Sequence, residues 1–183
     1  MKFIQTLLSG AYIVELEPFR DERGFFVRTF CKNEFSAIGH VKEFVQFNHS
    51  MTRHKGTIRG MHYQVPPSAE IKLIRCISGE VYDVIIDIRK DSPTFLQHFH
   101  IILSDENLKM LYVPEGFAHG FQTLANNSQM IYHHTAYYNP AYERGLRSDD
   151  PALGIRWPLP PGNMTGKDRK YPLINNQFKG IKI

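Results

Sequence analysis

The chain has 183 residues, 42% of them hydrophobic and 13% aromatic. At about 100–200 residues per domain this is one domain with material for a real core, which excludes a disordered chain. The 22 Lys and Arg exceed the 18 Asp and Glu to give a net charge of +4 with no long run of one sign, so a nucleic-acid-binding stripe is not expected, while an anionic small substrate would be favoured.

In chain order, strands are expected over residues 11–17, 24–30, 57–64, 72–77, 81–89, 97–103, 110–113, 120–124 and 129–136, where β-branched and aromatic residues are cut by turn residues. Segments 72–77 and 81–89 read as a hairpin closed by Ser78-Gly79-Glu80, because Gly79 can take the positive φ of a tight turn. A short helix with an Asn cap is expected over 33–39 and a single helical turn over 105–109. Prolines concentrate after Pro140, and residues 154–183 read as an irregular wrapping tail. Many short strands with Gly and Pro punctuation and little helical periodicity imply an all-β barrel or jelly roll. With no linker or repeat, residues 1–183 are expected to form a single domain. Cys31 and Cys76 form no C-x-x-C pair, and Gln5, Thr6 and Ser9 break up the N-terminal apolar stretch. Both features fit a cytoplasmic protein with reduced thiols and no membrane partner.

Strand alternation sorts side chains into faces. His62 falls on one face with Gly60 and Gln64, Lys72 with Ile74 and Cys76, and Tyr132 with Met130 and His134. Polar groups among apolar neighbours on one strand face fit a barrel interior that holds a ligand. A lone strand histidine is most often structural, but Arg59, Lys72, His119 and Tyr132 lie on segments a barrel would gather around His62. Cations clustered at a barrel mouth oppose folding and imply a bound anion.

The segment Pro114-Glu115-Gly116-Phe117-Ala118-His119 is a P-x-G-x-x-H pattern resembling the second motif of cupin barrels. The matching first motif, Arg59-Gly60-Met61-His62-Tyr63-Gln64, has one histidine and a glutamine where a metal cupin carries two. A zinc- or iron-type site wants at least three protein ligands. His98-Phe99-His100 supplies an H-x-H elsewhere, so a metal cupin oxygenase using His98, His100 and His119 stands as an alternative.

The run Lys55-Gly56-Thr57-Ile58-Arg59-Gly60-Met61-His62-Tyr63-Gln64 with Pro66-Pro67 is similar to the signature of dTDP-4-dehydrorhamnose 3,5-epimerases. Further matching stretches follow in family order: Asp21–Phe26, Gln46-x-Asn48-x-Ser50, Lys72–Phe95, Val113–Phe121, Tyr137-Tyr138 and Asp149–Leu159. The resemblance implies a double-stranded jelly-roll (cupin) barrel with short peripheral helices and an irregular C-terminal tail. It also implies an enzyme of deoxysugar biosynthesis that uses no metal and no cofactor, takes a dTDP-4-keto-6-deoxyhexose and forms homodimers. By the same resemblance His62 is the base, Asp168 its dyad carboxylate, Lys72 the enolate-stabilising cation and Tyr132 the acid on the opposite face. Arg23, Arg59, Gln46, Asn48, His119 and Glu143 match substrate-binding positions, and Phe26 or Tyr138 would stack on the nucleotide. Asp83 is expected to orient His119.

Three departures stand out: Arg28 where the family usually has Glu, Glu70 where Gln is common before the lysine, and Tyr132-His133-His134-Thr135-Ala136 where it usually reads Tyr-Lys-Thr-Thr-Asp. They leave open a sister enzyme that epimerises one carbon or moves the ketone. A sugar-nucleotide binding module without catalysis is a further alternative.

Overall fold

The architecture follows from strands that must be covered on both faces. In a computed structural model describing residues 1–183 the strands are β1 (Lys2–Gln5), β2 (Tyr12–Glu15), β3 (Phe19–Asp21), β4 (Gly24–Phe26), β5 (Gln46–Thr52), β6 (Ile58–Gln64), β7 (Lys72–Ser78), β8 (Glu80–Asp87), β9 (His98–Ser104), β10 (Lys109–Val113), β11 (Phe117–Thr123), β12 (Ser128–His134) and β13 (Glu143–Gly145). Two short helices, α1 (Lys32–Phe35) and α2 (Gly166–Arg169), complete the set. One antiparallel sheet runs β1-β2-β10-β7-β12-β5, a second runs β13-β6-β11-β8-β9, and β3 and β4 form a separate hairpin. Two such sheets face to face make a jelly roll, as expected from the sequence.

Three apolar layers hold it together. Between the sheets, Ile74, Cys76, Leu111 and Met130 of the first meet Val81, Ile85, Leu103 and Phe121 of the second. On the outer face of the second sheet, Met61, Val84, Ile86 and Ala118 are covered by Leu153, Trp157, Ile174 and Phe178 of the C-terminal tail. On the outer face of the first, Val14, Leu73, Met110 and Tyr112 are covered by Phe35 of α1 and the N-terminal residues. Central strands therefore lack polar alternation, and every residue of β11 is buried.

The tail is fixed by polar anchors as well. Buried Asp150 accepts the backbone N–H of Ile174 at 2.6 Å and of Ala152 at 2.9 Å, the Trp157 indole donates to the Ser148 carbonyl, and Ile181 bridges to Arg89. No helix is long and apolar enough to cross a membrane.

Four details differ from the sequence expectation. Segments β7 and β8 do not form a hairpin: β7 pairs with β10 and β12, and β8 with β9 and β11. Gly79, at φ 76°, instead turns the chain from one sheet to the other. Both segments are apolar on both faces, so each needs two paired neighbours and a cover, which a two-stranded unit cannot supply. Helix α1 begins after Cys31, with no side-chain cap, and passes into a 3-10 turn over Ser36–Ile38. Residues 105–107 form a hydrogen-bonded turn with no helix. The tail, though largely irregular, carries α2.

Asp87 closes the bottom of β8. Its fully buried carboxylate accepts from the Arg89 backbone and guanidinium, Ser92 Oγ and Thr94 Oγ1 at 2.6–3.0 Å. Burial pushes this carboxyl up, but the donors outweigh it and hold it below the usual aspartate range. A depressed folded-state value means stability present above the unfolded value, near 3.8, and lost as pH falls through the folded one. Asp87→Asn should therefore cost about 2–4 kcal/mol at neutral pH by urea titration, with the gap to the parent narrowing below pH ~4. An equal gap at pH 7 and pH 3 would show that the charge is not the source of the stability.

Candidate active site

The open end of the sandwich is polar because aligned rows of the two inner faces carry the chain's functional groups there. Across the first sheet, Gln46 of β5, His134 of β12 and Lys72 of β7 share one row. The next row is Asn48, Tyr132 and Ile74, and the third is Ser50, Met130 and Cys76, so the face grades from polar to apolar with depth. In the second sheet His62 of β6 pairs with His119 of β11 and with Gly145 of β13. Together these faces bound a cleft of about 280 Å³.

A β-bulge puts Arg59 and His62, three positions apart, on the same side. Opposite β11 the register steps from His119↔His62 to Phe121↔Arg59, so Gly120 of β11 faces both Gly60 and Met61 of β6. Gly60 in the bulge has φ 115°, and a Cβ there would lie 2.6 Å from Gly120 Cα, so glycine is needed at the crossing.

His62 is half-exposed to the cleft, and its Nε2 lies 2.8 Å from Oδ1 of Asp168, whose side chain is only 2% exposed. Asp168 sits in α2, where its N–H donates to the Thr165 cap, and its second carboxylate oxygen accepts the Gly60 N–H at 3.4 Å. Burial raises this carboxyl, but His62 and the backbone donors more than offset it and hold it below the usual range, as an anion. An anionic carboxylate only accepts, so the His62 proton sits on Nε2 and the lone pair on Nδ1, which has no protein partner. Tyr171 lies edge-on to the imidazole, with ring centroids 6.3 Å apart. Its ring fills the space over Gly145 where a side chain would stand.

Across the cleft, Lys72 Nζ donates to the His62 carbonyl at 3.4 Å and pairs with Glu70 at 3.2 Å. The Tyr132 hydroxyl lies 3.2 Å from Ser50 Oγ. Burial drives the Tyr132 phenol far above its ordinary range, against a small opposing pull from Ser50, so it keeps its proton. His119 Nε2 lies 2.9 Å from Oδ2 of fully buried Asp83, the pairing expected from the sequence. Burial pushes the Asp83 carboxyl up, against the opposing pull of His119 and Lys72.

At the mouth, Tyr138 donates its phenolic O–H to Glu143 at 2.8 Å, and Lys167 donates to the same carboxylate. Arg59 donates to the Met51 carbonyl at 3.3 Å, and its guanidinium lines the cleft. Gln46 stands behind this rim and accepts the Tyr138 backbone N–H at 2.9 Å.

Arg23 and Phe26, two of the expected binding residues, do not reach the cleft. They sit on the β3–β4 hairpin, where Arg23 pairs with Asp21 at 2.5 Å and Phe26 is 73% exposed. Arg28 pairs with Glu34 at 2.9 Å, also away from the cleft. Six cleft residues lay outside the expected set: Ser50, Tyr63, Gln64, Glu70, Phe121 and His134. Strand parity with Asn48, His62 and Tyr132 marks Ser50, Gln64 and His134. Glu70 lies outside any strand and carried no such signal.

The alternative metal set is overturned by strand facing. Ile85 pairs with both His119 and Phe99, and it points into the inter-sheet core. His98 and His100 pair with Ile86 and Val84, which point to the opposite, outer face, and His100 stacks on Tyr82 there. The three histidines cannot converge on one ion.

The chain and its fold are similar to known proteins. The family model described as dTDP-4-dehydrorhamnose 3,5-epimerase matches residues 5–176. A dTDP-4-dehydrorhamnose 3,5-epimerase of Shigella flexneri is 44% identical over 169 residues, 92% of this chain and 93% of that protein. The crystal structure of dTDP-4-dehydrorhamnose 3,5-epimerase from Bacillus anthracis, with TDP and PPi bound, superposes with a TM-score of 0.92 at 42% identity, covering 94% of this chain and 99% of that one. A Legionella pneumophila dTDP-6-deoxy-D-glucose-3,5-epimerase in complex with dTDP-4-keto-L-rhamnose also gives 0.92, at 37% identity over 100% of this chain and 98% of that one. Matches of this extent, on a jelly roll that sets a histidine–aspartate pair against a lysine and a tyrosine, make the chain an isomerase of the dTDP-4-dehydrorhamnose 3,5-epimerase family.

Proposed function

We propose that this chain converts dTDP-4-dehydro-6-deoxy-D-glucose to dTDP-4-dehydro-L-rhamnose by epimerising C3 and C5 without a cofactor. The observation that carries the reading is the opposition of a base and an acid across one cleft, with a cation beside the base. The C4 ketone acidifies the hydrogens on both neighbouring carbons. His62 Nδ1 takes the proton, the C–H electron pair moves onto the C4 oxygen as an enolate, and Asp168 stabilises the imidazolium through Nε2. The Lys72 ammonium faces the enolate oxygen. A preorganised charge of this kind contributes roughly 3–4 kcal/mol of barrier lowering, by analogy with oxyanion-hole donors. Tyr132 then donates its proton to the opposite face of the carbon, inverting the centre, and exchange with solvent closes the cycle as the imidazolium loses its proton and the phenolate regains one.

Arg59 and His119 supply charge and hydrogen bonds for the diphosphate and sugar, and guanidinium forks suit phosphate oxygens. Glu143, Gln46 and Asn48 bind alongside them, and Tyr138 offers its ring to the nucleotide at the rim. Reduced Cys31 and Cys76 suit a cytoplasmic enzyme; burial pushes the Cys76 thiol up to about 11, so it is inert.

His62→Asn should lower kcat by about 10³-fold with an unchanged thermal midpoint. Tyr132→Phe should lower inversion by about 10²-fold while substrate protons still exchange with deuterated solvent. Near-parent turnover in the first variant, or unchanged inversion in the second, would remove that residue from its role.

The working unit in this reading is a homodimer. Phe19 and Phe26 on the β3–β4 hairpin and Phe47 on edge strand β5 are 65–77% exposed, an apolar surface that fits a second copy. The hairpin would then carry Arg23 and Phe26 to the partner's cleft. Sedimentation should give twice the chain mass, and Arg23→Ala should raise KM about tenfold with kcat little changed. A fully active monomer would contradict the dimer.

A further inference from the structure

The cleft contains a third acid–histidine pair, which the reaction described above does not use. Glu70 and Lys72, 9% exposed or less, pair at 3.2 Å. The other Glu70 oxygen lies 2.8 Å from Nδ1 of His134, also buried. His134 Nε2 is 3.3 Å from Asn48 Nδ2, Gln46 Nε2 donates to Asn48 Oδ1 at 3.2 Å, and Gln46 Oε1 accepts the Tyr138 backbone N–H at 2.9 Å.

The direction of every bond in this series is fixed from its end. A backbone N–H can only donate, so the Gln46 oxygen must face Tyr138 and its amide nitrogen must face Asn48. Asn48 in turn must present its oxygen to Gln46 and its nitrogen to His134. His134 must then accept at Nε2 and hold its proton on Nδ1, aimed at Glu70. Glu70 meets a donor at each oxygen, Nδ1–H on one side and the ammonium on the other. Burial pushes its carboxyl up, but Lys72 and His134 outweigh that and keep it below the usual glutamate range.

We infer that Glu70 and His134 are positioning residues for Lys72, forming a directional hydrogen-bond chain that ties the lysine's placement to the backbone of Tyr138 at the nucleotide rim. Only a carboxylate accepts at both ends. An amide at position 70 would either turn its nitrogen toward Lys72 and push the ammonium away, or turn it toward His134 and force the imidazole proton onto Nε2 against the Asn48 amide. A buried ammonium without its fixed counter-charge also loses its one defined position. The role given to Lys72 rests on the reaction proposed above; the bond direction does not.

Two measurements test the chain. In substrate-free, 15N-labelled protein, His134 should show its proton on Nδ1, and Glu70→Gln should change that signal. A proton on Nε2 in the parent would overturn the chain whatever the enzyme turns over. With the dTDP-4-keto sugar, Glu70→Gln should lower kcat about tenfold with KM within about twofold. Adding His134→Ala to Glu70→Gln removes the competing ring, frees the amide oxygen for Lys72 and should recover several-fold of kcat. A double variant slower than Glu70→Gln, or a Glu70→Gln variant with parent kcat, would show that these residues only fill space. The Nδ1 proton in place with no turnover by the parent enzyme would count against the reaction and leave the chain standing.

Discussion

The hydrogen bond from His62 to Asp168 ties the tail to the cleft, and the proposed reaction depends on it. It joins β6, about a third of the way along the chain, to a one-turn helix in the tail. Asp168 can be a buried anion only because the Gly60 N–H and the imidazole satisfy it, and an unpaired buried carboxylate would cost several kcal/mol. The tail that carries it is held in turn by the Asp150 and Trp157 anchors and by the apolar cover over the second sheet. The irregular tail is therefore part of the site, and its packing sets the orientation of His62.

The inter-sheet space divides its labour along the strand direction. Ile74, Cys76, Met130, Val81 and Phe121 fill the closed end with apolar volume. Lys72, His134, Tyr132, His62 and His119 face the open end. Strand parity makes this economical, since one face of β7 supplies a cation at its mouth and core residues two and four positions later. Each carboxyl group of the resting site meets a hydrogen-bonding or charged partner: Glu70 meets Lys72, Asp168 meets His62, and Asp83 meets His119. Each pairing also fixes a geometry, so satisfaction of the buried carboxyl groups and preorganisation come from the same contacts.

Much of this was legible from the residues. The central strands showed as apolar runs, and parity put His62, Lys72 and Tyr132 on inward faces. What failed depended on distant partners. Strand β5, Gln46–Thr52, has few apolar residues because its inner face lines the cleft and its edge is open, so no strand signal appeared. The Gly79 turn looked like a hairpin because local sequence specifies the turn but not which sheet each arm joins. Arg59 fell out of phase with His62 until the bulge at Gly60 restored it. Asp168 came from resemblance alone, since a carboxylate in an irregular tail has no periodicity to place it. The link from Glu70 to His134 was invisible because it joins the lead-in to β7 with the end of β12.

The most direct test is proton NMR of the protein with dTDP-4-keto-6-deoxyglucose in deuterated water. Deuterium should appear at both C3 and C5, with the product in the L-rhamno configuration. Label at one carbon would contradict double epimerisation and leave the enolate chemistry standing. Bound substrate with no label at either carbon would contradict the proton-transfer role of His62 and Tyr132 outright.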